Sequence, residues 1–444
     1  MKRVAVILFL SFFLNASLIA QNPIDTNSGG LTLEACISQA LRNQPSIKQF
    51  AIDETIADQE IKERLADWFP QLGLTYNYQH NLQLPTAFFP DANGVKRPVT
   101  TGVKNSSNIQ FSLSQNIFNR DLLLANRSAG SYRQQARQLS SSNKIDIVVA
   151  VSKAYYDLLL TQKQVAVLDE NIVRLEKSVQ DAFNKYEGGI VDKIDYKRAQ
   201  IALNSTRADR KRAFDAIVAK RVYLQELMGV GGDTTILVNY DSLKMEREAF
   251  YDTTQTGDFS QRIEWQLLQT RQRLLEDNLR YNKWSFLPSV GGFGSYNPTF
   301  QNDKFVNLYN TAYPTSFLGF QMTLPIFQGG KRIRSIRIAE LQLSRLEEDK
   351  KALSNNFTTQ YAEALSGYKG GLANLISLRD NLALAEDVYN TLRIQYNAGI
   401  KTYLEVIISE TEFRSAQINY LNALYQVLSN KLDLQRATGS ISFN

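Results

Sequence analysis

The chain has 444 residues, of which 43% are hydrophobic, and it carries a formal net charge of +6. This mild, dispersed basic excess does not predict binding to nucleic acid, and the single cysteine excludes both an intramolecular disulfide framework and a cysteine-cluster metal site. The single histidine, His80, has no second ligand type at metal-binding spacing, and no phosphate-binding glycine motif is present. We therefore expect no catalytic residues, and neither a resident metal nor a cofactor.

The N-terminus has the pattern of a secretory signal. Residues 1–20 begin with Lys2 and Arg3, continue with an apolar stretch and end at the small residue Ala20. Residues 21–30 are a polar leader that we expect to be flexible. No later apolar run approaches the ~18 residues of a membrane-spanning helix, so a chain that spans a membrane would have to do so as a β-barrel.

Two helices and a strand hairpin are predicted next. Apolar spacing over 31–43 indicates a helix in which Cys36 is a small buried residue, and Pro45 is typical of the first turn of a second helix that ends near residue 67. The alternation then changes to a period of two from Leu72 to Leu84, which predicts a strand. A long exposed loop over 85–107 and a returning strand over 109–117 complete a predicted hairpin spanning 71–118.

A very long helix follows the hairpin. No proline occurs from residue 119 to Tyr186, and apolar positions step by threes and fours, which predicts a coiled-coil-like helix about 100 Å long. A turn at Gly188 and Gly189 leads into a returning helix over 192–228. The segment 186–194 is therefore the predicted tip of an antiparallel helical hairpin.

The whole arrangement occurs twice. A shift of 210 residues (378 − 168) pairs Leu168 with Leu378, and Tyr186 with Tyr396. The predicted organisation is a first repeat over 31–228, a connector over 229–258 and a second repeat over 259–444. The second repeat contains a strand hairpin over 289–327, with a loop over 297–314, and a helical hairpin whose tip is 396–404. Two strand hairpins give only four strands, which cannot close a membrane barrel, so several chains must share one.

Several segments resemble the TolC family of bacterial outer-membrane efflux proteins. They are LRNQPSIKQFA, LADWFPQLGLTYNY, SFLPSVGGFGSY, QMTLPIFQGG and, above all, YNAGIKTYLEVIISE. The resemblance covers nearly the whole chain after residue 20. It implies an α+β membrane channel in which each protomer gives four strands to a shared outer-membrane barrel, while its long helical hairpins form a periplasmic α-barrel. It also implies a homotrimer that acts with a periplasmic adaptor protein and an inner-membrane pump.

The resemblance also assigns residues at the hairpin tips to a periplasmic gate. The carboxylates fall on Glu405 and Asp195, and the tyrosine and basic residue that join the hairpins fall on Tyr396 and Lys401. Some relatives carry a second carboxylate where this chain has Ile408, so the predicted ring is single. Three Glu405 side chains around a narrow mouth would favour cations. The alternative is that Glu405 is an ordinary solvated carboxylate near a helix N-terminus.

The tip loops have a second implied role, because tip loops of this family meet the hairpin of the adaptor. The residues concerned are Gly189 and Ile190 in the first copy and Gly399 and Ile400 in the second. The two glycines are expected to end their helices in any case. The basic residues Lys331, Arg332, Arg334 and Arg337 directly after the last strand either meet lipid headgroups or form a solvated helix face.

The leading hypothesis is a passive exit duct of the outer membrane that extends into the periplasm. A soluble periplasmic coiled-coil scaffold or adaptor would also have a signal and long helical hairpins. The alternating strands favour the duct, because strands with one apolar face have no purpose in a soluble helical hairpin.

Overall fold

The fold is known from a computed structural model that describes residues 31–90, 94–231, 238, 242–253 and 259–442. The predicted signal over 1–20 and the leader over 21–30 lie outside the described residues. Most of the described chain is helical, and the helices are α1 (Leu33–Asn43), α2 (Pro45–Ala66), α3 (Arg120–Glu187), α4 (Lys193–Met228), α5 (Ser242–Ala249), α6 (Ile263–Lys283), α7 (Lys331–Asn397) and α8 (Tyr403–Thr438).

The two predicted helical hairpins are present and nearly equal in length. Helices α3 and α4 have 68 and 36 residues, and α7 and α8 have 67 and 36. No proline interrupts any of the four, which allows an unbroken hydrogen-bond ladder along α3 of about 100 Å. Pro45 is the first residue of α2, as its sequence position predicted.

One antiparallel sheet joins the two copies. Its strands are β1 (Gln71–His80), β4 (Asn105–Phe118), β5 (Ser289–Asn302) and β6 (Ala312–Thr323), in the order β1-β4-β5-β6. The central pairing of β4 with β5 connects the first strand hairpin to the second. A separate two-stranded sheet pairs β2 (Thr86–Pro90) with β3 (Lys96–Thr100).

The loop predictions were partly wrong. The segment expected to be a loop over 85–107 contains β2, β3 and the start of β4, and the segment 297–314 contains the end of β5, a 3-10 turn at Phe305–Asn310 and the start of β6. Proline suggested loops at both places because it cannot donate to a strand ladder. In the sheet, however, Pro298 of β5 lies opposite Pro314 of β6, so both prolines stand within paired strand segments.

Two strands are also shorter than predicted. Strand β1 ends at His80 rather than continuing to Leu84, and β6 ends at Thr323, two residues before Pro325. Alternation of side chains shows which residues suit a strand, but pairing ends where the partner strand turns away. The paired segment Gln71–His80 lies opposite Ser114–Asn105 along its whole length.

The hydrophobic core lies in the helical part, away from the sheet. Helix α3 packs against α1, α2, α4, α6 and α8, and its middle residues Val151, Leu158 and Leu159 are fully buried together with Leu424 and Leu428 of α8. Cys36 of α1 is also fully buried in this core, as predicted. No helix within the described residues combines the length and apolar character needed to cross a membrane.

The sheet has the opposite distribution of apolar side chains. Leu72 and Leu74 on β1 are 76% and 64% exposed, and Leu318 and Phe320 on β6 are 78% and 77% exposed. Exposed apolar area of this extent marks a surface that another apolar phase or another chain covers.

Candidate functional site

The two hairpin tips have the same backbone. Helix α3 ends at Glu187 and α7 at Asn397, and each is followed by a glycine with positive φ, +68° at Gly189 and +76° at Gly399. The next amide folds back in both copies. Ile190 N–H donates to Lys185 O at 2.8 Å, and Ile400 N–H donates to Gln395 O at 2.9 Å. These bonds satisfy carbonyls that the helix ends would otherwise leave open.

Glu405 caps the helix on which it stands. Thr402 is the N-cap of α8, and its N–H and hydroxyl donate to Glu405 Oε2 at 2.9 and 3.0 Å. Lys401 Nζ donates to Glu405 Oε1 at 2.7 Å. The Lys401 ammonium, followed by the Thr402 donors, holds the pKa of Glu405 down at about 2. Glu405 is therefore ionised at any physiological pH, and its charge is matched by a cation of its own tip.

Asp195, the equivalent carboxylate of the first tip, has weaker contacts than Glu405. Its nearest cation is Arg198, with Nη1 3.9 Å from Asp195 Oδ1. The capping role in this tip belongs to Asp192, whose Oδ1 accepts from Ile194 N–H at 2.9 Å. The two predicted gate carboxylates thus occupy equivalent helix positions but differ in how far each is neutralised.

Tyr396 lies where the two hairpins of the protomer meet. Lys185 Nζ, at the end of α3, is 3.8 Å from the centroid of the Tyr396 ring, and the Tyr403 ring lies 5.6 Å away. A cation over an aromatic face is attracted to it electrostatically. The buried Tyr396 hydroxyl has no hydrogen-bond partner among the described residues. Lys401 contacts Glu405 within its own tip, so a contact of Lys401 with the other hairpin stays a prediction.

One notable residue of this region, Glu410, was not identified from the sequence. Glu410 of α8 is only 4% exposed, and its Oε1 has no hydrogen-bond partner among the described residues. Burial raises its pKa to about 7, against the opposing influence of Arg174, Arg414 and Arg393. A signal was present, because Tyr403, Val406, Glu410 and Phe413 step by three, four and three and so share the face that packs in a coiled coil.

Aromatic contacts within the second hairpin, and contacts from α3 of the first hairpin, lie beside Glu410. Next to it, the Phe413 ring is stacked on Tyr389 of α7 at 5.8 Å between centroids, and Arg174 of α3 lies 5.8 Å from the Phe413 ring. Arg174 also donates to Asn171, whose Nδ2 donates to Gln417 Oε1 of α8 at 3.3 Å. The first hairpin is thereby joined to the second by side chains well above the tips.

Comparisons with known proteins agree with this architecture. The family described as Outer membrane efflux protein matches residues 36–230 and 264–440. The outer membrane protein TolC of Escherichia coli K12 is 20% identical over 91% of this chain and 81% of its own length. The cation efflux system protein CusC of the same organism is 21% identical over 92% of this chain and 86% of its own length.

The fold is also that of a solved outer membrane protein, VceC from Vibrio cholerae. That structure has a TM-score of 0.70 at 16% identity, covering 92% of this chain and 96% of its own. At this identity the likeness describes the fold, which is an α+β channel fold with long helical hairpins and a small antiparallel sheet. The family match spans both copies of the repeated arrangement and places the chain in the outer membrane. The chain belongs to the outer membrane efflux protein family.

Proposed function

We propose that this chain is one protomer of a homotrimeric exit duct that lets substrates pass across the outer membrane. The observation that carries the proposal is the open sheet, in which, within the described chain, β1 pairs only with β4, and β6 only with β5. Unpaired edges cannot persist in the hydrocarbon of a bilayer. Pairing β6 of one protomer with β1 of the next satisfies both edges, and three copies close one shared barrel.

The exposed apolar side chains of the sheet support contact with outer-membrane lipid. Phe317, Leu318 and Phe320 on β6 are 56%, 78% and 77% exposed, although the protomer has a well-packed core elsewhere. In water, this exposed apolar surface would promote aggregation. In a bilayer, lipid acyl chains cover the same side chains and remove them from water.

The helical hairpins carry exposed apolar residues that suit packing against neighbouring protomers. They are Ile194, Ile201, Val218 and Val222 on α4, and Ile376, Leu384, Val388 and Ile394 on α7. Covering these side chains by adjacent hairpins would form the periplasmic α-barrel. The protomer is then organised as two structural repeats, 31–228 and 259–444, joined by the connector 229–258.

The tips suit contact with a periplasmic adaptor protein that links the duct to an inner-membrane pump. Ile190 and Ile400 are 75% and 72% exposed, each directly after the glycine that ends a helix, Gly189 or Gly399. Two equivalent apolar side chains at the ends of two hairpins offer a repeated docking surface. The duct itself conducts passively, since the pump supplies the energy.

In the proposed duct, Asp195, Tyr396, Lys401 and Glu405 form the periplasmic gate. Glu405 forms an ion pair with Lys401, so the two residues together add little net charge to the mouth of the duct. Asp195, with its nearest cation 3.9 Å away, contributes the less neutralised carboxylate. The gate is therefore expected to depend on both copies of the tip rather than on Glu405 alone.

Single-channel conductance of the mature protein in a planar bilayer tests the proposal. We expect discrete cation-selective steps, with selectivity reduced by Asp195→Asn and by Glu405→Gln, which keeps the capping box because glutamine can fill the same position. Glu60→Gln on α2, an exposed residue in a helix outside the tips, serves as the matched control.

Each outcome bears on a different part of the proposal. Steps that are unchanged by both tip variants would keep the duct and remove these carboxylates from the gate. Absence of any channel from well-folded protein would contradict the duct. The competing hypothesis of a soluble periplasmic scaffold is disfavoured by membership in an outer-membrane family.

A further inference from the structure

A cavity lies where the long helices begin beneath the sheet. Its volume is about 330 Å³, and its walls come from the first turns of α3 and α7, the start of β5 and the end of β6. In the proposed duct the sheet spans the membrane and the helices extend into the periplasm. The cavity would then lie at the level of the lipid headgroups of the periplasmic leaflet, a location that rests on the proposed function.

Three cationic side chains line this cavity: Arg120, Lys331 and Arg332. Among the described residues, no ion pair includes any of the three, and Arg120 lies with its Cζ 4.4 Å from the centroid of the Tyr281 ring. Arg332 is oriented by Gln328, whose Oε1 accepts from its Nε at 3.1 Å, by Pro325 O, which accepts from its Nη2, and by the Phe286 ring, whose centroid is 4.9 Å from its Cζ. Among the described residues of the wall, Asp121 is the only carboxylate, so cations there outnumber anions three to one.

The cations stand where the helix dipole disfavours them. Lys331 and Arg332 are the first two residues of α7, and the N-terminus of a helix carries partial positive charge. The N-cap is Gly330, which has no side chain to accept from the first-turn amides, and the first turn contains no acidic residue. The buried Ser285 hydroxyl, which also lines the cavity, has no hydrogen-bond partner among the described residues. The first amide of α7, Lys331 N–H, donates to Gln328 O at 3.0 Å, so an anion in the cavity would be held by the cationic side chains, by the positive end of the α7 dipole and by this hydroxyl.

Exposed apolar side chains lie beside this polar cavity. Phe286 and Leu287 are 52% and 44% exposed, and Ile326 and Phe327 are 91% and 87% exposed. Each is a wall residue or the immediate chain neighbour of one, since Leu287, Pro325 and Gln328 line the cavity. A small inorganic anion would make no favourable contact with these apolar side chains. A molecule that carries acyl chains would bury them.

We propose that this cavity binds the phosphate of an anionic phospholipid headgroup, with the acyl chains lying along the exposed apolar side chains beside it. The bound lipid would fix the depth of the sheet relative to the helices at the point where the chain passes from one to the other. The interaction is non-covalent and leaves the conducting path unchanged.

The test measures lipid binding to the delipidated mature protein by native mass spectrometry, with phosphatidylglycerol and phosphatidylcholine as probes. We expect preferential binding of phosphatidylglycerol and a loss of about fivefold in its affinity in Lys331→Gln, with a larger loss in Lys331→Glu. Lys331 is exposed, so both variants should fold. Arg334→Gln is the matched control, because Arg334 is an exposed cation one turn further along α7 that does not line the cavity.

Three results would overturn the proposal. Equal affinity for the two lipids would remove the anionic preference, and an equal loss in Arg334→Gln would indicate diffuse surface charge instead of a built site. Displacement of phosphatidylglycerol by inorganic phosphate of similar affinity would make the cavity a site for free anions. Conductance of the same variants separates this proposal from the duct: channels that conduct normally without selective lipid binding would reject the lipid site alone.

Discussion

The two hairpin tips share a backbone but differ in their side-chain chemistry. Under the shift of 210 residues, Glu405 corresponds to Asp195, Lys401 to Val191 and Glu410 to Gln200. Both tips have a glycine with positive φ and the same returning hydrogen bonds. Within the described residues, only the second tip has a lysine ion-paired with its helix-start carboxylate and a carboxylic acid buried above it. The two tips therefore have the same turn but different side-chain contacts: the lysine ion pair of Glu405 is 2.7 Å long, whereas the arginine nitrogen that pairs with Asp195 is 3.9 Å away.

The largest expected effect comes from the packing that the second copy builds around Glu410. Phe413→Ala should lower the free energy of local opening of the α7–α8 hairpin by about 3–5 kcal/mol, because the ring is buried against Tyr389. The equivalent change in the first copy is Leu203→Ala, which should destabilise α3–α4 and leave α7–α8 unchanged. Hydrogen exchange of each hairpin measures both, with Leu341→Ala as control, because Leu341 is an exposed residue of α7 that is not among the side chains assigned to packing between protomers. Equal losses in both hairpins from Phe413→Ala would show that the copies open as one unit.

The second prediction concerns pH and follows from Glu410. Its pKa in the packed hairpin is about 7, above the ordinary value of 4.5, so the packed arrangement holds the proton more tightly than an open one. Packing is therefore strongest below about pH 4.5 and weakens as the pH rises through 7, by an amount on the order of 2–3 kcal/mol. The groups that face Glu410 are Arg174 of α3, Arg393 and Tyr389 of α7, and Arg414 and Tyr403 of α8.

Glu410→Gln should remove this pH dependence, and hydrogen exchange of α8 between pH 4.5 and 8 measures it after correction for the intrinsic rate. Glu412→Gln, an exposed residue of the same helix, is the control and should leave the dependence intact. The equivalent residue of the first copy, Gln200, cannot ionise, so α4 should show no such trend. A trend of equal size in α4 would assign the dependence to another group.

The third prediction tests the shared backbone. Gly189→Ala and Gly399→Ala each place a Cβ in the left-handed region, at φ of +68° and +76°. Each should destabilise its own tip by about 1–2 kcal/mol, with nearly equal effects in the two copies. Limited proteolysis at the tips measures the effect. A clearly unequal loss would mean that side chains, rather than the backbone, determine the stability of one turn.

The smallest expected effect is on ion selectivity. Lys401→Ala leaves Glu405 without its cation, so cation selectivity should increase at low ionic strength and the increase should fade as salt screens the mouth. Val191→Ala alters the equivalent position of the first copy without a change of charge and should leave selectivity as it was. Reversal potentials in a salt gradient measure both variants. No change in Lys401→Ala would place Glu405 away from the conducting path.

Periodicity and the positions of proline and glycine were enough to predict most of the fold. The helices of both hairpins begin and end within a few residues of the predicted bounds, because a helix is specified by local spacing, caps and the absence of proline. The same applies to the tips, where a glycine after a long apolar repeat predicts the turn. Glu405 could be chosen from the sequence as a helix-start carboxylate for the same reason.

Tertiary structure decided what depends on residues that are distant in the chain. Pro298 of β5 lies opposite Pro314 of β6 within paired strands, and no local pattern could predict that pairing. Glu410 becomes a buried acid only because α3 and α7 cover the face that α8 presents, and its pKa follows from that burial. The cavity at Arg120 and Lys331 forms because residues about 210 positions apart, at equivalent points of the two copies, meet beneath one sheet. Local sequence determines elements and their ends, whereas charge, burial and cavities arise where those elements meet.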